Sequence, residues 1–125
     1  MYKKGILTIK PVVAELTRDT DLLGKMDPLV EFQATNEKVI SSVAKGEGKH
    51  PTWEDVLTLK VDQVDSQIHI IVYDEDLGSK KDVVAEGWIP LMEVHSKGDH
   101  EAWFPLTYKG KSAGKIMLCL DFRAI

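Results

Sequence analysis

The sequence has one cysteine, Cys119, so no disulfide can close within the chain and nothing in it requires an oxidising compartment. It also lacks long apolar runs. The longest span a handful of residues, far short of the ~20 that a membrane-crossing helix needs. Met1-Tyr2-Lys3-Lys4 is followed only by Gly5-Ile6-Leu7 before Thr8, which is too short for a signal-peptide core. Basic charge is in the minority, with 16 Lys and Arg against 20 Asp and Glu and a formal charge of -4. That balance argues against a nucleic-acid binder relying on a net positive surface. No phosphate loop, dinucleotide fingerprint or recognisable triad is present, so the residues support no catalytic role. Helical periodicity is scarce too, and Leu91-Met92-Glu93-Val94 is the one candidate helical turn. These absences predict a cytoplasmic protein whose membrane contact, if any, is peripheral and made by a folded surface.

What is present is alternation. Leu7 and Ile9 alternate with Thr8 and Lys10, Val30 and Phe32 with Glu31 and Gln33, and Leu57, Leu59 and Val61 with Thr58, Lys60 and Asp62. Ile68, Ile70 and Val72 share one face, as do Ile116, Leu118, Leu120 and Phe122. A period of two marks strands with one buried face. Turn signals separate the runs, among them Gly24, Pro28, Gly46-Glu47-Gly48, Gly78-Ser79 and Gly110-Lys111-Ser112. Eight strands are predicted near residues 5–16, 28–35, 38–44, 54–62, 67–73, 86–91, 102–107 and 114–123. With 125 residues, this reads as a single domain over 1–125, an all-β sandwich or barrel.

The acids gather in two places. One is the loop after the first strand, Arg18-Asp19-Thr20-Asp21-Leu22-Leu23-Gly24-Lys25-Met26-Asp27-Pro28. The other is Tyr73-Asp74-Glu75-Asp76-Leu77-Gly78-Ser79-Lys80-Lys81-Asp82, where the strand 67–73 ends. Asp74 and Asp76 are two apart and share a direction if strand geometry continues. Two like charges about 4 Å apart repel by roughly 4 kcal/mol at an effective dielectric of 20. A hard cation removes that repulsion, and Ca²⁺ takes about 6–8 oxygen ligands where Mg²⁺ demands tight octahedral geometry. The competing reading is an acid-rich but solvated loop. An EF-hand does not fit, because its fifth and twelfth positions counted from Asp74 are Gly78 and Ala85.

In order and spacing these residues resemble a C2 domain, the calcium- and phospholipid-binding module. Gly5-x-Leu7-x-Ile9 looks like its opening strand, and Asp21-x5-Asp27-Pro28 is similar to its first calcium loop. His50-Pro51-Thr52-Trp53-Glu54-Asp55 is similar to its Asn-Pro-x-Trp-Asn-Glu stretch. Asp74-x-Asp76 with Ser79 and Asp82 resembles the third calcium loop, and Trp103-x-x-Leu106 the late Trp-x-x-Leu strand. Leu29, His50 and Ala85 depart from the family's usual Tyr, Asn and Gly.

The resemblance implies an eight-stranded antiparallel Greek-key β-sandwich of type II topology. It implies Ca²⁺, two ions, held by Asp21, Asp27, Asp74, Asp76 and Asp82, with the Met26 carbonyl and Ser79 contributing. Leu22, Leu23 and Leu77 would then be insertion residues, or would pack beneath their loops, while Lys25, Lys80 and Lys81 would face an anionic phospholipid membrane. The expected protein is a monomer with no nucleic-acid partner that reaches membranes on a calcium rise. A calcium-independent protein-interaction scaffold is the alternative, with a protein partner left open. Lys38, Lys45 and Lys49 form either a second lipid patch or a solvated face. Cys119 should lie opposite Leu118 and Leu120, and Trp53, Trp88 and Trp103 in the core or at its edge. His95 and His100, beside Lys97 and Asp99, are predicted to lie in a solvated loop.

Overall fold

Each alternating run becomes a strand, and the strands close two layers over one set of apolar side chains. The computed structural model describes residues 2–21, 24–75 and 81–125. Among these, in chain order, are β1 (Gly5–Leu16), β2 (Pro28–Gln33), β3 (Lys38–Ile40), β4 (Leu57–Val61), β5 (Gln67–Glu75) and β6 (Lys81–Pro90). The helix α1 (Leu91–Lys97) follows, then β7 (Asp99–Tyr108) and β8 (Lys111–Ala124). The ladder order is β3-β2-β5-β6-β7-β8-β1-β4, and every described pairing is antiparallel. One layer is β3-β2-β5-β6 and the other β7-β8-β1-β4. Among the described residues, ladder pairing crosses between them only at Glu86–Thr107.

The inward positions are the ones alternation singles out. Leu7, Ile9, Phe32, Ile68, Ile70, Ile116 and Leu118 are fully buried in one cluster. Cys119 is half-buried on the opposite face from Leu118 and Leu120, as its place in the alternation requires. In β1 the register to β8 shifts between Pro11 and Val13, where proline has no N–H to give the ladder.

Boundaries differ from expectation where hydrogen bonding, not hydropathy, decides them. β3 stops at Ile40 rather than residue 44, although the chain still follows β2 through Ser41 N–H to the Val30 carbonyl and Ala44 N–H to the Pro28 carbonyl. β4 starts at Leu57, leaving Val56 exposed. β6 starts five residues early, at Lys81, because β5 continues to Glu75 and pairs with it. A bulge at Val84, opposite Val72 and Tyr73, hides this, since it breaks the alternation of Val83-Val84-Ala85. Of the tryptophans, Trp53 is buried, while Trp88 and Trp103 are both exposed.

His95 is a correction. It sits on α1, not in a solvated loop, with its ring 4.1 Å from the Phe122 ring and 5.7 Å from that of Tyr2. Both ring nitrogens are buried without a hydrogen-bond partner among the described residues. Burial pushes its pKa below the usual histidine value, and the nearby Lys3 ammonium pushes the same way. The unfolded chain therefore binds the extra proton more readily. This contribution to stability is present above the unfolded histidine pKa near 6.5 and is lost as pH falls toward the lower folded value. Melting temperature should thus drop between pH 7.5 and pH 5.5, and His95→Phe should flatten that dependence. An equal drop in the variant would show that other groups carry it.

Candidate metal site and apical surface

Period two also explains where the acids go. Asp74 is the next inward position of β5 after Ile68, Ile70 and Val72, so a carboxylate ends a core column and is only 1% exposed. Its neighbours across the layer are Pro28, the first residue of β2, and Asp82 on β6. The Asp27 N–H donates to Asp74 Oδ1 at 2.9 Å, and the Thr20 hydroxyl donates to Asp74 Oδ2 at 2.8 Å. Asp27 is held in turn by the Gly46 N–H, 2.6 Å from its Oδ1. The Glu75 N–H donates to the Asp27 carbonyl at 3.1 Å. Asp27, Asp74 and Asp82 thus all stand at one rim of the sandwich, termed apical below.

Asp21 is half-buried in the same loop, one residue after Thr20. Its N–H donates to Asp19 Oδ1 at 2.9 Å, so Asp19 shapes the loop. The Met26 carbonyl accepts the Gly48 N–H at 3.0 Å, and its side chain is buried in the core, where Sδ receives the Thr20 N–H at 3.4 Å. Asp76, Ser79, Leu22, Leu23, Leu77 and Lys80 lie outside the described residues. Among the described residues no three acids, histidines or cysteines form a metal-holding group by themselves. The donors that do meet are hard oxygens, the chemistry of Ca²⁺ or Mg²⁺ rather than of soft metals. Asp74, though buried, has no ion pair among the described residues. Its two oxygens accept from Asp27 and Thr20, which offset part of the cost of burying the charge.

Lys25 is exposed, its stem lying along Gly48, and Lys81 is exposed with its ammonium 4.7 Å from the centre of the Tyr73 ring. Thr20 had no sequence signal beyond its place beside Asp21. Arg18 is the other residue sequence reasoning missed. Its guanidinium lies 3.7 Å from the centre of the Tyr108 ring and its Nη2 donates to the Val83 carbonyl at 3.2 Å. Arg18, Thr20, Asp82, Val83 and Tyr108 line a hollow of about 350 Å³.

Lys38 belongs elsewhere. It lies 3.8 Å from Glu31, a carboxylate only 2% exposed that also accepts from Gln33 and, at 3.4 Å, from the Tyr73 hydroxyl. Burial, together with the Glu31 charge, raises the Tyr73 pKa. The face around β2 and β5 is therefore not a lysine patch. Lys45 and Lys49 stand in the exposed turn that caps the Asp27 loop.

An antiparallel sandwich whose core column ends in aspartates at one rim defines a class of β-modules with an acidic apical cup. The chain belongs to the C2 domain family, whose model matches residues 5–106. It is similar to the 16 kDa phloem protein 2 of Arabidopsis thaliana, with 32% identity over 95% of this chain and 82% of that one. Among solved structures, a C2 domain-containing protein superposes with a TM-score of 0.84 and 27% identity, over 98% of this chain and 91% of its own. The calcium-bound pair of C2 domains from Extended-Synaptotagmin 2 gives a TM-score of 0.80 and 28% identity, over 98% of this chain and 47% of that one. No helix among the described residues is long and apolar enough to cross a membrane.

Proposed function

We propose that the chain binds anionic phospholipid membranes peripherally, in response to Ca²⁺, through its apical rim, without catalysing a reaction. The observation that carries this is Asp74, a 1%-exposed carboxylate without a cationic partner among the described residues, set against Asp27 and Asp82. Asp21, Asp27, Asp74, Asp76 and Asp82 would hold two Ca²⁺ ions, with the Met26 carbonyl and Ser79 as further oxygen donors. The ions would add four positive charges to a formal -4 and offer coordination positions to lipid phosphates. Leu22, Leu23 and Leu77 would enter the headgroup layer, and Lys25, Lys80 and Lys81 would meet its negative potential. Calcium and lipid then strengthen each other's binding, since coupling is reciprocal. The family membership and the calcium-bound neighbour support this reading.

Vesicles containing phosphatidylserine should pellet the protein in Ca²⁺ and release it in chelator. Equal pelleting in both, with no calcium-dependent rise in melting temperature, would sink the calcium switch, and no pelleting in either would leave the protein-interaction scaffold as the function.

A further inference from the structure

The turn between β7 and β8 reaches the same rim as the acidic cup, and nothing in the cup's chemistry requires it. Gly114, early in β8, pairs with Leu16 at the end of β1, and Arg18 just beyond packs on Tyr108 at the end of β7. Between them, Tyr108 pairs with Lys111 across a two-residue turn. Its central residues Lys109 and Gly110 have φ of 50° and 81°, the positive values of a type I′ hairpin. This is a stiff turn, so presenting its side chains to a surface costs little ordering entropy.

Three cations converge here. Arg18 lies on the Tyr108 ring, the Lys109 ammonium is 5.3 Å from the centre of the same ring, and Lys111 is exposed beside them. Among the described residues none of the three lies within 4 Å of a carboxylate. Arg18 shares its hollow with Asp82 yet gives its hydrogen bond to a carbonyl. Cations placed to neutralise the cup would pair with it; these are held beside it instead. An anion whose oxygens reach both a filled cup and this basic wall matches the arrangement.

We infer that the β7–β8 hairpin is a further membrane-contact element, in which Lys109 and Lys111, braced through Tyr108 and Arg18, meet the phosphates of anionic lipid. The inference rests on the calcium-dependent lipid reading and adds a surface to it. It predicts that contact spreads beyond the two acidic loops to the far side of Asp82, fixing the tilt of the sandwich on the membrane.

The test compares wild type, K109A/K111A and K3A/K4A on phosphatidylserine-containing vesicles in Ca²⁺. Lys3 and Lys4 precede the start of β1, roughly 36 Å from the rim along that strand, and control for net charge. K109A/K111A should bind roughly twenty- to thirty-fold more weakly, with a shallower loss of binding on adding salt. Its calcium-induced rise in melting temperature without lipid should match wild type, and K3A/K4A should bind as wild type does. Wild-type affinity in K109A/K111A, or an equal loss in K3A/K4A, overturns the inference and leaves the lipid reading standing. Wild type that fails to pellet in Ca²⁺ overturns both.

Discussion

Asp74→Asn should abolish the calcium response while leaving the fold intact. The asparagine carbonyl can still accept the Asp27 N–H, which has no freedom to turn. Its amide can donate to the Thr20 hydroxyl, which does. Both local hydrogen bonds survive, so the metal-free melting temperature should stay within a few degrees of wild type. What disappears is the charge at the centre of the cup. Losing a supporting residue of a metal site weakens binding about 10- to 100-fold, and losing this central oxygen donor should weaken it by more than about 100-fold. At calcium near 100 times the dissociation constant, wild type gains about 2.7 kcal/mol of stability, and the variant should gain almost none. Calorimetric titration and thermal shift read the two effects independently. An equal calcium-induced shift in both proteins would place the ion elsewhere. Asp74→Ala is the less informative change, since it also strands the part-buried Asp27 N–H and costs about 1–3 kcal/mol by itself.

Gly114→Ala should be the most damaging small substitution. Gly114 has φ of 121°, and a Cβ there would lie 2.0 Å from the Glu15 carbonyl oxygen and 3.0 Å from the Leu16 Cα. Both are backbone atoms in the ladder that ties β8 to β1, so neither can swing aside. Strained backbone plus this collision should cost about 3 kcal/mol or more, or roughly 10 °C in melting temperature. Gly98→Ala separates the two causes. Its φ is also positive, 84°, but nothing lies within 4 Å of the added carbon, so only the left-handed penalty of about 1–2 kcal/mol applies. Denaturant unfolding of the two variants measures the difference. If they lose the same stability, the close approach of β1 and β8 is not what requires glycine.

How much of this was legible beforehand depended on whether the cause is local. β1 was readable to the residue, because Leu7 and Ile9 alternate with Thr8 and Lys10 from its first pleat onward. The inward place of Asp74 was readable because it continues the period of Ile68, Ile70 and Val72, so a carboxylate had to arrive where the core column ends. β6 was read short because the bulge at Val84 interrupts the pattern that marks a strand. Glu31 looked like an outward polar position, and it is one. Yet Lys38, Gln33 and Tyr73 close over it, which alternation cannot foresee. His95 and Arg18 escaped for the same reason: the rings they rest on, Phe122 and Tyr108, are brought to them only by the closed sandwich.

Among the described residues the layers share one ladder pair, Glu86–Thr107, which bears on how the domain would carry a load from a membrane. Within each layer a pull on the rim is resisted by rows of hydrogen bonds that hold until they snap. From one layer to the other it passes through interlocked methyl groups, which give way gradually. A tug on Asp74 or Asp82 and a tug on the hairpin act on different layers, so the core between them works as a damper.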